Sequence, residues 1–265
     1  MNVQRMSHVC LRAAAGHMTY LDWVDPHFTA HRVFLIVVLQ DTYFEFGRPS
    51  KCSVVGNSGI LNNSSCGEHI DNADFVIRFN VPLINGFRKD VGSRSDVTTI
   101  NPSQIQNQFG GLIGYQARRH FLNYLKQYHR YIWVSAFASV STMEVGRSLL
   151  RTIRGKLNPS QLLLGNPQHW RSMTRFWRGR GVTGKRLSSG IYWVSNALTF
   201  CDEVHLYGFW PFKSNSVGEP IRYHYYTDKP PTTLPSKSHS FSDEFSAILK
   251  LHKKGVLQLH ADKCD

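Results

Sequence analysis

Short apolar runs alternate along this chain with polar or amphipathic stretches, and runs of this length predict strands. They are the segments 52–56, 74–80, 96–100, 131–137, 161–165 and 204–210. Between them, the segments 107–129 and 188–201 predict wholly or partly helical structure. Because strands and helices alternate, the pattern predicts an α/β domain around a mainly parallel sheet.

The last third of the chain has a different character. Residues 229–240 form a long stretch rich in proline and serine, and the segment 242–255 predicts a final helix. Loops of that length are usually functional or disordered. The 265 residues contain no internal repeat and are enough for one globular body with a large core.

The formal net charge of +13 raises nucleic acid, an anionic membrane or an acidic substrate as partners. The lysines and arginines are scattered, however, and form neither a basic arm nor a zinc-finger spacing. We therefore predict no nucleic-acid partner and retain an anionic substrate.

The five cysteines are widely separated, and none lies in the close pairs that bind zinc. Two interpretations stay open here: disulfides formed in an oxidising compartment, or buried free thiols. Asn62 and Asn63 each begin an Asn-x-Ser pattern for N-glycosylation, which favours the secretory interpretation. The apolar run 33–39 is far shorter than the roughly 20 residues that cross a bilayer, so neither an anchor nor a signal peptide is visible.

The first predicted strand ends in the turn Gly56-Asn57-Ser58-Gly59. In open α/β sheets, ligands bind at the carboxyl ends of strands. Glycine lets the backbone approach phosphate or sugar closely, and the Asn57 amide both donates and accepts hydrogen bonds. The alternative is an ordinary turn, for which this composition is also common.

A second candidate site consists of Ser188, Ser189 and Gly190 at the start of a predicted helix. Hydroxyls and free backbone N–H groups at a helix start bind phosphate or carboxylate. The alternative is a serine that only caps the helix.

Histidine is the side chain best suited to proton transfer near neutral pH. Two of the 13 histidines, His224 and His239, lie in the late loop region, and Glu244 follows five residues after His239. Spacing alone does not distinguish them from structural histidines. The chain has no Asp-x-Asp pair to hold a metal on a nucleotide sugar, so such a donor would be held by arginine, histidine, hydroxyls and helix termini.

Longer stretches resemble a known family. The segments 52–80 and 90–103 resemble the long sialylmotif of the animal sialyltransferases, specifically the α2,8-sialyltransferase family, and 186–212 resembles the short one. The resemblance runs from about Cys52 to Cys264. It implies a single Rossmann-like domain with a mainly parallel sheet and flanking helices, a GT-A-like variant that uses CMP-sialic acid as donor, without a metal or other cofactor.

The resemblance also assigns roles to single residues. His239 would be the general base, His224 would steady the leaving phosphate, and Glu244 would support the loop or helix beside them. The residues that would hold CMP-sialic acid are Asn57, Asn80, Asn101, Ser103, Ser188, Ser189, Gly190, Gly208, Phe209 and Trp210.

The family pattern implies the disulfides Cys52–Cys201 and Cys66–Cys264 and leaves Cys10 unpaired. Such links would hold the two sialylmotifs together.

The implied reaction is a single displacement that inverts configuration and transfers sialic acid to the 8-hydroxyl of a terminal sialic acid. The acceptor would be a sialylated glycoprotein or ganglioside, with one or few sialic acids added. Three departures from the pattern are Thr227 for an acidic residue, Ser189 for threonine and Phe79 for cysteine. Thr227 keeps open the alternative of a catalytically silent protein that binds sialoglycans or CMP.

Members of this family carry a cytoplasmic tail, a membrane helix and a stem before the catalytic domain. Residues 1–47 show none of these clearly. We therefore expect a divergent N-terminal segment, with anchor and stem absent or truncated, before a catalytic domain at 48–265. The resemblance implies a Golgi lumen or Golgi membrane location and is compatible with a homodimer.

Overall fold

The computed structural model describes residues 48–135, 140–156, 162–230 and 238–264. In these residues seven strands form one sheet in the order β5-β4-β3-β2-β1-β6-β7, and every neighbouring pair is parallel. The strands are β1 (Lys51–Val55), β2 (Phe75–Arg78), β3 (Val97–Ile100), β4 (Tyr131–Val134), β5 (Leu162–Leu164), β6 (Glu203–Tyr207) and β7 (Gln258–His260). The predicted α/β architecture is therefore confirmed.

Helices connect the strands. The α-helices of the described residues are α1 (Gly67–Asp71), α2 (Arg88–Val91), α3 (Pro102–Gln108), α4 (Gly114–Leu125), α5 (Val140–Ile153), α6 (Pro167–Arg178), α7 (Ser189–Phe200) and α8 (Phe241–Lys253). Short 3-10 helices occupy Gly59–Leu61 and Gly110–Leu112. Among the described residues, no helix is both long and apolar enough to span a bilayer.

The segment 107–129 is interrupted rather than one helix. Gly110 and Gly111 have φ angles of 54° and 63°, in the left-handed region that an α-helix does not use. They separate α3 from α4. The strand β7 had no prediction, because three residues at a partly exposed sheet edge carry little apolar signal.

The core lies on both faces of the sheet, which explains why the strands read as apolar runs. Successive residues of a strand point to opposite faces, so Val54 and Val55 enter different clusters of buried side chains. Helix α7 packs against the Val54 face, where Trp193 and Val194 are fully buried.

Both implied disulfides are present, which confirms the pairing. Cys52 and Cys201 have Cα atoms 6.0 Å apart, and those of Cys66 and Cys264 are 4.8 Å apart. The first bond joins β1 to the end of α7, and the second joins the start of α1 to the end of the described chain. Cys10 lies outside the described residues.

The strand order reverses at β1. The chain runs from β1 outward to β5 on one side, and β6 then returns to pair with β1 on the other side. In open parallel sheets, this switch point opens a crevice at the carboxyl ends of the two strands. The candidate residues Asn57 and Gly208 follow those ends directly.

Candidate active site

The loops after β1 and β6 touch backbone to backbone. Gly56 N–H donates to Tyr207 O at 2.7 Å, and Ser58 N–H donates to Gly208 O at 3.2 Å. A Cβ atom at Gly56 would lie 2.4 Å from Gly208 O, and Gly208 itself has a φ angle of 68°. Only glycine meets both conditions, so these residues fix the floor of the crevice.

Asn57 is anchored on two sides and leaves one atom unused. Its Nδ2 group donates to Phe79 O at 2.8 Å, and its backbone oxygen accepts from Tyr225 N at 3.0 Å. Its Oδ1 atom is buried and has no hydrogen-bond partner among the described residues. Because buried polar atoms in folded proteins are almost always paired, this oxygen is suited to accept from a ligand hydroxyl or amino group.

Asn80 and Asn101 connect the ends of β2 and β3. Asn80 has a φ angle of 61°, and its Oδ1 atom accepts from Asn101 N at 3.0 Å. Asn101 precedes α3, in whose first turn Ser103 is exposed. The structure thus places Asn80 one strand away from Asn57 and already uses its carbonyl oxygen to hold the loop.

Ser188 caps α7 and also bonds to α8. Its Oγ atom accepts from Ile191 N at 3.2 Å, so Ser188 does cap the helix, as the alternative interpretation predicted. The Ser188 N–H group donates to Glu244 Oε1 at 2.8 Å, and its hydroxyl donates to Glu244 Oε2. Gly190 lies beneath the Phe209 ring, with 3.1 Å between an added Cβ and that ring.

Glu244 is only 4% exposed, and both of its oxygens accept from Ser188. Burial raises the pKa of Glu244, while the hydrogen bonds from Ser188 act in the opposite direction. The contact joins the first turn of α8 to the N-cap residue of α7. Glu244 thereby positions the start of α8 against the start of α7.

His239 is oriented by a backbone carbonyl. Its Nδ1 atom lies 2.9 Å from Arg186 O. A carbonyl oxygen only accepts, so Nδ1 carries the proton and Nε2 keeps its lone pair. Burial lowers the pKa of His239, and the nearby Arg186 guanidinium lowers it further against the hydrogen bond to Arg186 O. The imidazole is therefore neutral at neutral pH, the form that a general base needs.

His224 pairs with the loop after β1. Its backbone pairs with Ser58 in an isolated antiparallel bridge, and its ring stacks on Tyr226 at 5.2 Å. Burial, helped by Lys229, lowers the pKa of His224 to about 4. Thr227, one of the departures from the family pattern, donates to His224 O from its backbone N–H at 3.2 Å and from its hydroxyl at 3.4 Å, which closes the turn that carries the histidine.

A chain of aromatic contacts links these groups. Phe79, at the end of β2, meets Phe209 edge to face at 5.9 Å, and Phe209 covers Gly190. Trp210 instead donates from Nε1 to Ser214 O at 2.7 Å and packs on a neighbouring aromatic group. The tertiary structure thus brings together the loops after β1, β2 and β6 and the starts of α7 and α8.

The sequence did not predict a further set of contacts, which joins the segment 183–188 to the segment that carries His239. Thr183 donates from N–H and hydroxyl to Asp243 Oδ2 at 2.9 and 2.6 Å, and Arg186 N–H donates to Ser238 O at 3.0 Å. These bonds hold the segment 183–188 along the segment that carries His239. No local motif predicts these hydrogen bonds, because each one joins residues more than 50 positions apart.

The two glycosylation candidates differ in exposure. Asn63 is exposed and has a φ angle of 61°, whereas Asn62 is half-buried at the end of the 3-10 helix Gly59–Leu61. Within the described part of the chain, no three His, Cys, Asp or Glu side chains gather as ligands for a metal ion.

The comparisons with known proteins agree with this geometry. The sequence profile of glycosyltransferase family 29, the sialyltransferases, matches residues 29–256. The chain therefore belongs to this family.

Similar curated proteins include the alpha-N-acetylneuraminide alpha-2,8-sialyltransferases of Xenopus tropicalis and Bos taurus, which are 41% and 42% identical over 228 and 218 residues. Human alpha-2,8-sialyltransferase 8F is 38% identical over 219 residues. These alignments cover 85%, 81% and 82% of this chain but 64%, 60% and 54% of the relatives. The chain thus spans less than two thirds of the length of the curated relatives that it matches.

Solved structures show the same fold. A mammalian sialyltransferase matches with a TM-score of 0.57 at 23% identity, over 82% of this chain and 70% of that one. A mammalian sialyltransferase in complex with Gal-beta-1-3GalNAc-ortho-nitrophenol matches with a TM-score of 0.59 at 23% identity, over 84% and 74% of the two chains.

Proposed function

We propose that this chain is the catalytic part of an α2,8-sialyltransferase. It transfers sialic acid from CMP-sialic acid to the 8-hydroxyl of a terminal sialic acid on a glycoprotein or ganglioside glycan. The observation that carries the proposal is His239, whose tautomer is fixed by Arg186 O so that Nε2 is free of its proton beside the crevice. The names of the curated relatives support the same chemistry.

In this proposal, the donor binds across the crevice floor that Gly56 and Gly208 form. The unused Asn57 Oδ1 atom accepts from the nucleoside, and the N-terminus of α7 at Ser188–Gly190 binds the phosphate or the sialic acid carboxylate. Asn80, Asn101, Ser103, Gly208, Phe209 and Trp210 complete the proposed donor site. Either anion is stabilised there by the positive end of a 12-residue helix.

The reaction is a single displacement. Nε2 of His239 takes the proton from the acceptor 8-hydroxyl while the oxygen attacks C2 of the donor sialic acid. The bond from C2 to the phosphate oxygen breaks, and CMP departs with that electron pair. His224 donates a hydrogen bond to the leaving phosphate, and configuration at C2 inverts. The proposal needs no metal, because fixed donors stabilise the leaving group.

The domain and its location follow from the same proposal. Residues 48–265 form the catalytic domain and 1–47 a divergent segment before it. The protein works in the Golgi lumen or at the Golgi membrane, where full-length relatives are anchored, and it is compatible with a homodimer. The candidates Asn62 and Asn63 would be glycosylated there.

The test is sialic acid transfer from CMP-sialic acid to sialylated glycoprotein and ganglioside acceptors, with EDTA present. We expect product from the wild type, and a fall in kcat of roughly 10²- to 10⁴-fold for His239→Ala. His129→Ala, a histidine outside the candidate site, is the matched control. CMP affinity, measured by calorimetry, should be the same in all three proteins.

Each outcome has a distinct meaning. Transfer that His239→Ala leaves unchanged would remove His239 from the mechanism. CMP binding without transfer by the wild type would favour the catalytically silent binder over the transferase. Loss of transfer in EDTA, restored by a divalent metal, would overturn the metal-free mechanism.

A further inference from the structure

Arg186 is fixed beside the proposed base by three contacts. Its backbone N–H donates to Ser238 O at 3.0 Å, and its backbone oxygen accepts from Nδ1 of His239 at 2.9 Å. Its guanidinium lies 3.4 Å from the Ser238 hydroxyl. The Arg186 backbone and the His239 imidazole are therefore held together, and the guanidinium extends from that backbone.

The Arg186 guanidinium has no anionic partner within the described residues. No carboxylate there lies within 4.0 Å of it. The two acidic residues on the facing segment are already used, Asp243 by Thr183 and Glu244 by Ser188. An exposed guanidinium that is held next to a base and lacks a counter-ion is placed to bind an anion from a ligand.

The proposed acceptor supplies such an anion. A terminal sialic acid carries its carboxylate and its 8-hydroxyl on the same sugar residue. We propose that Arg186 binds the carboxylate of the acceptor sialic acid and so brings its 8-hydroxyl to Nε2 of His239. This inference rests on the proposed function and adds the residue that selects a sialylated acceptor over a neutral one.

Arginine suits this role because its planar fork forms two parallel hydrogen bonds to a carboxylate. The same contact also affects the base. The free guanidinium lowers the pKa of His239. A bound carboxylate offsets that charge, so the base becomes stronger only when an acidic acceptor is present.

The first experiment uses the wild-type chain and two acceptors that differ only in the carboxylate. One has a terminal sialic acid as the free acid, and the other has the same residue as its C1 amide, which keeps the shape but not the charge. We expect kcat/KM for the free acid to be at least about 10-fold higher, the scale of one charge-assisted contact. Equal values for the two acceptors would overturn the proposal without any variant.

The second experiment compares Arg186→Gln with Lys185→Gln, which removes the same charge from the adjacent exposed residue. We expect Arg186→Gln to raise the acceptor KM about 10- to 100-fold and to abolish the preference for the free acid. Lys185→Gln should keep the preference, and Arg186→Lys should restore part of it. The KM for CMP-sialic acid should stay the same in every variant, which also shows that each one is folded.

Two results would count against Arg186. One is a preference for the free acid that Arg186→Gln retains in full. The other is an equal loss in Lys185→Gln, which would indicate a general effect of positive charge. A wild type that transfers sialic acid to neither acceptor would instead refute the proposed function.

Discussion

Glu244 and Asn57 illustrate that some polar atoms of the crevice bond within the protein, whereas others are left for a ligand. Both carboxylate oxygens of Glu244 accept hydrogen bonds from Ser188, so this residue positions the start of α7. Asn57 holds two loops with its other groups and leaves Oδ1 unpaired. The residues of one site therefore serve different purposes, and only their contacts distinguish them.

Replacing Glu244 tests its positioning role. Glu244→Ala removes the partner of the half-buried Ser188 N–H group, which we expect to lower the free energy of unfolding by about 1–3 kcal/mol. Glu244→Gln keeps one acceptor and should lose less. Urea unfolding midpoints of the three proteins provide the measurement. If Glu244→Ala is as stable as the wild type, the bonds to Ser188 contribute nothing to the fold.

At the scale of elements, the contact between the loops after β1 and β6 depends on glycine. A Cβ atom at Gly208 would lie 2.6 Å from Leu61 Cδ1 and 2.8 Å from Gly56 O, in a backbone with φ of 68°. The two loops could then no longer stay in contact. Donor affinity and stability therefore depend on the same residue.

We expect Gly208→Ala to lower the free energy of unfolding by more than about 2 kcal/mol and to weaken CMP binding at least 10-fold. Gly218→Ala is the matched control, because Gly218 also has a positive φ of 87° but no atom within 4 Å of an added Cβ. Thermal unfolding and calorimetry with CMP measure the two effects. Equal behaviour of the two variants would show that backbone strain alone matters and that the loop contact does not.

The edge strand β7 carries a pH-sensitive contact. His205 Nδ1 and His260 Nε2 lie 3.0 Å apart, and the His260 ring stacks on Tyr207 at 4.4 Å. Burial, His205 and Lys51 lower the pKa of His260 to about 4, and burial also lowers the pKa of His205. Both histidines are therefore neutral in the native state. One of the two facing nitrogens carries a proton and donates it in a hydrogen bond to the other.

This contact predicts acid lability. The pKa of His260 in the native state lies below the ordinary value of 6.5, so the unfolded chain binds a proton at this residue first as the pH falls. The stability that is present above pH 6.5 is therefore lost as the pH falls towards about 4. His260→Phe keeps a ring on Tyr207 but removes the titration, so the decline in Tm between pH 6.5 and pH 4 should become shallower. Leu259→Ala, on the same strand, should lower Tm at every pH and leave the slope as it is. An unchanged slope in His260→Phe would rule out this residue as its source.

At the scale of the whole molecule, two disulfides close loops that span most of the described chain. Cys52 and Cys201 are 149 residues apart, and Cys66 and Cys264 are 198 residues apart. Cys264 N–H also donates to Ser64 O at 2.9 Å. The second disulfide thus fastens the segment after β7 to the start of α1, away from the proposed base.

Removing the second disulfide should affect stability more than chemistry. We expect Cys66→Ser with Cys264→Ser to lower the free energy of unfolding by about 2–5 kcal/mol and Tm by roughly 5–15 °C. Any kcat measured at 20 °C should change less than threefold. Cys10→Ser is the control, with no expected change in Tm. An unaltered Tm in the double variant would show that the link adds nothing to stability.

The sequence by itself determined six of the seven strands of the described sheet, because a strand buried on both faces needs a continuous apolar run, and such runs are visible locally. It also located the two glycine- and serine-rich turns and the two histidines. The cysteines alone left disulfides and free thiols open, and only the family resemblance implied the pairing. The sequence predicted the segment 107–129 as wholly or partly helical, and the structure located the break at Gly110 and Gly111.

Only the tertiary structure decided which groups meet. Ser188 reaches Glu244 across 56 positions and Arg186 reaches His239 across 53, and the sheet order that brings them together cannot be inferred from a local period. The same holds for the unpaired Asn57 Oδ1 atom, since an unused acceptor is recognised only after all its neighbours are placed. Residue types and spacing thus identified the candidates, and long-range packing determined what each one contacts.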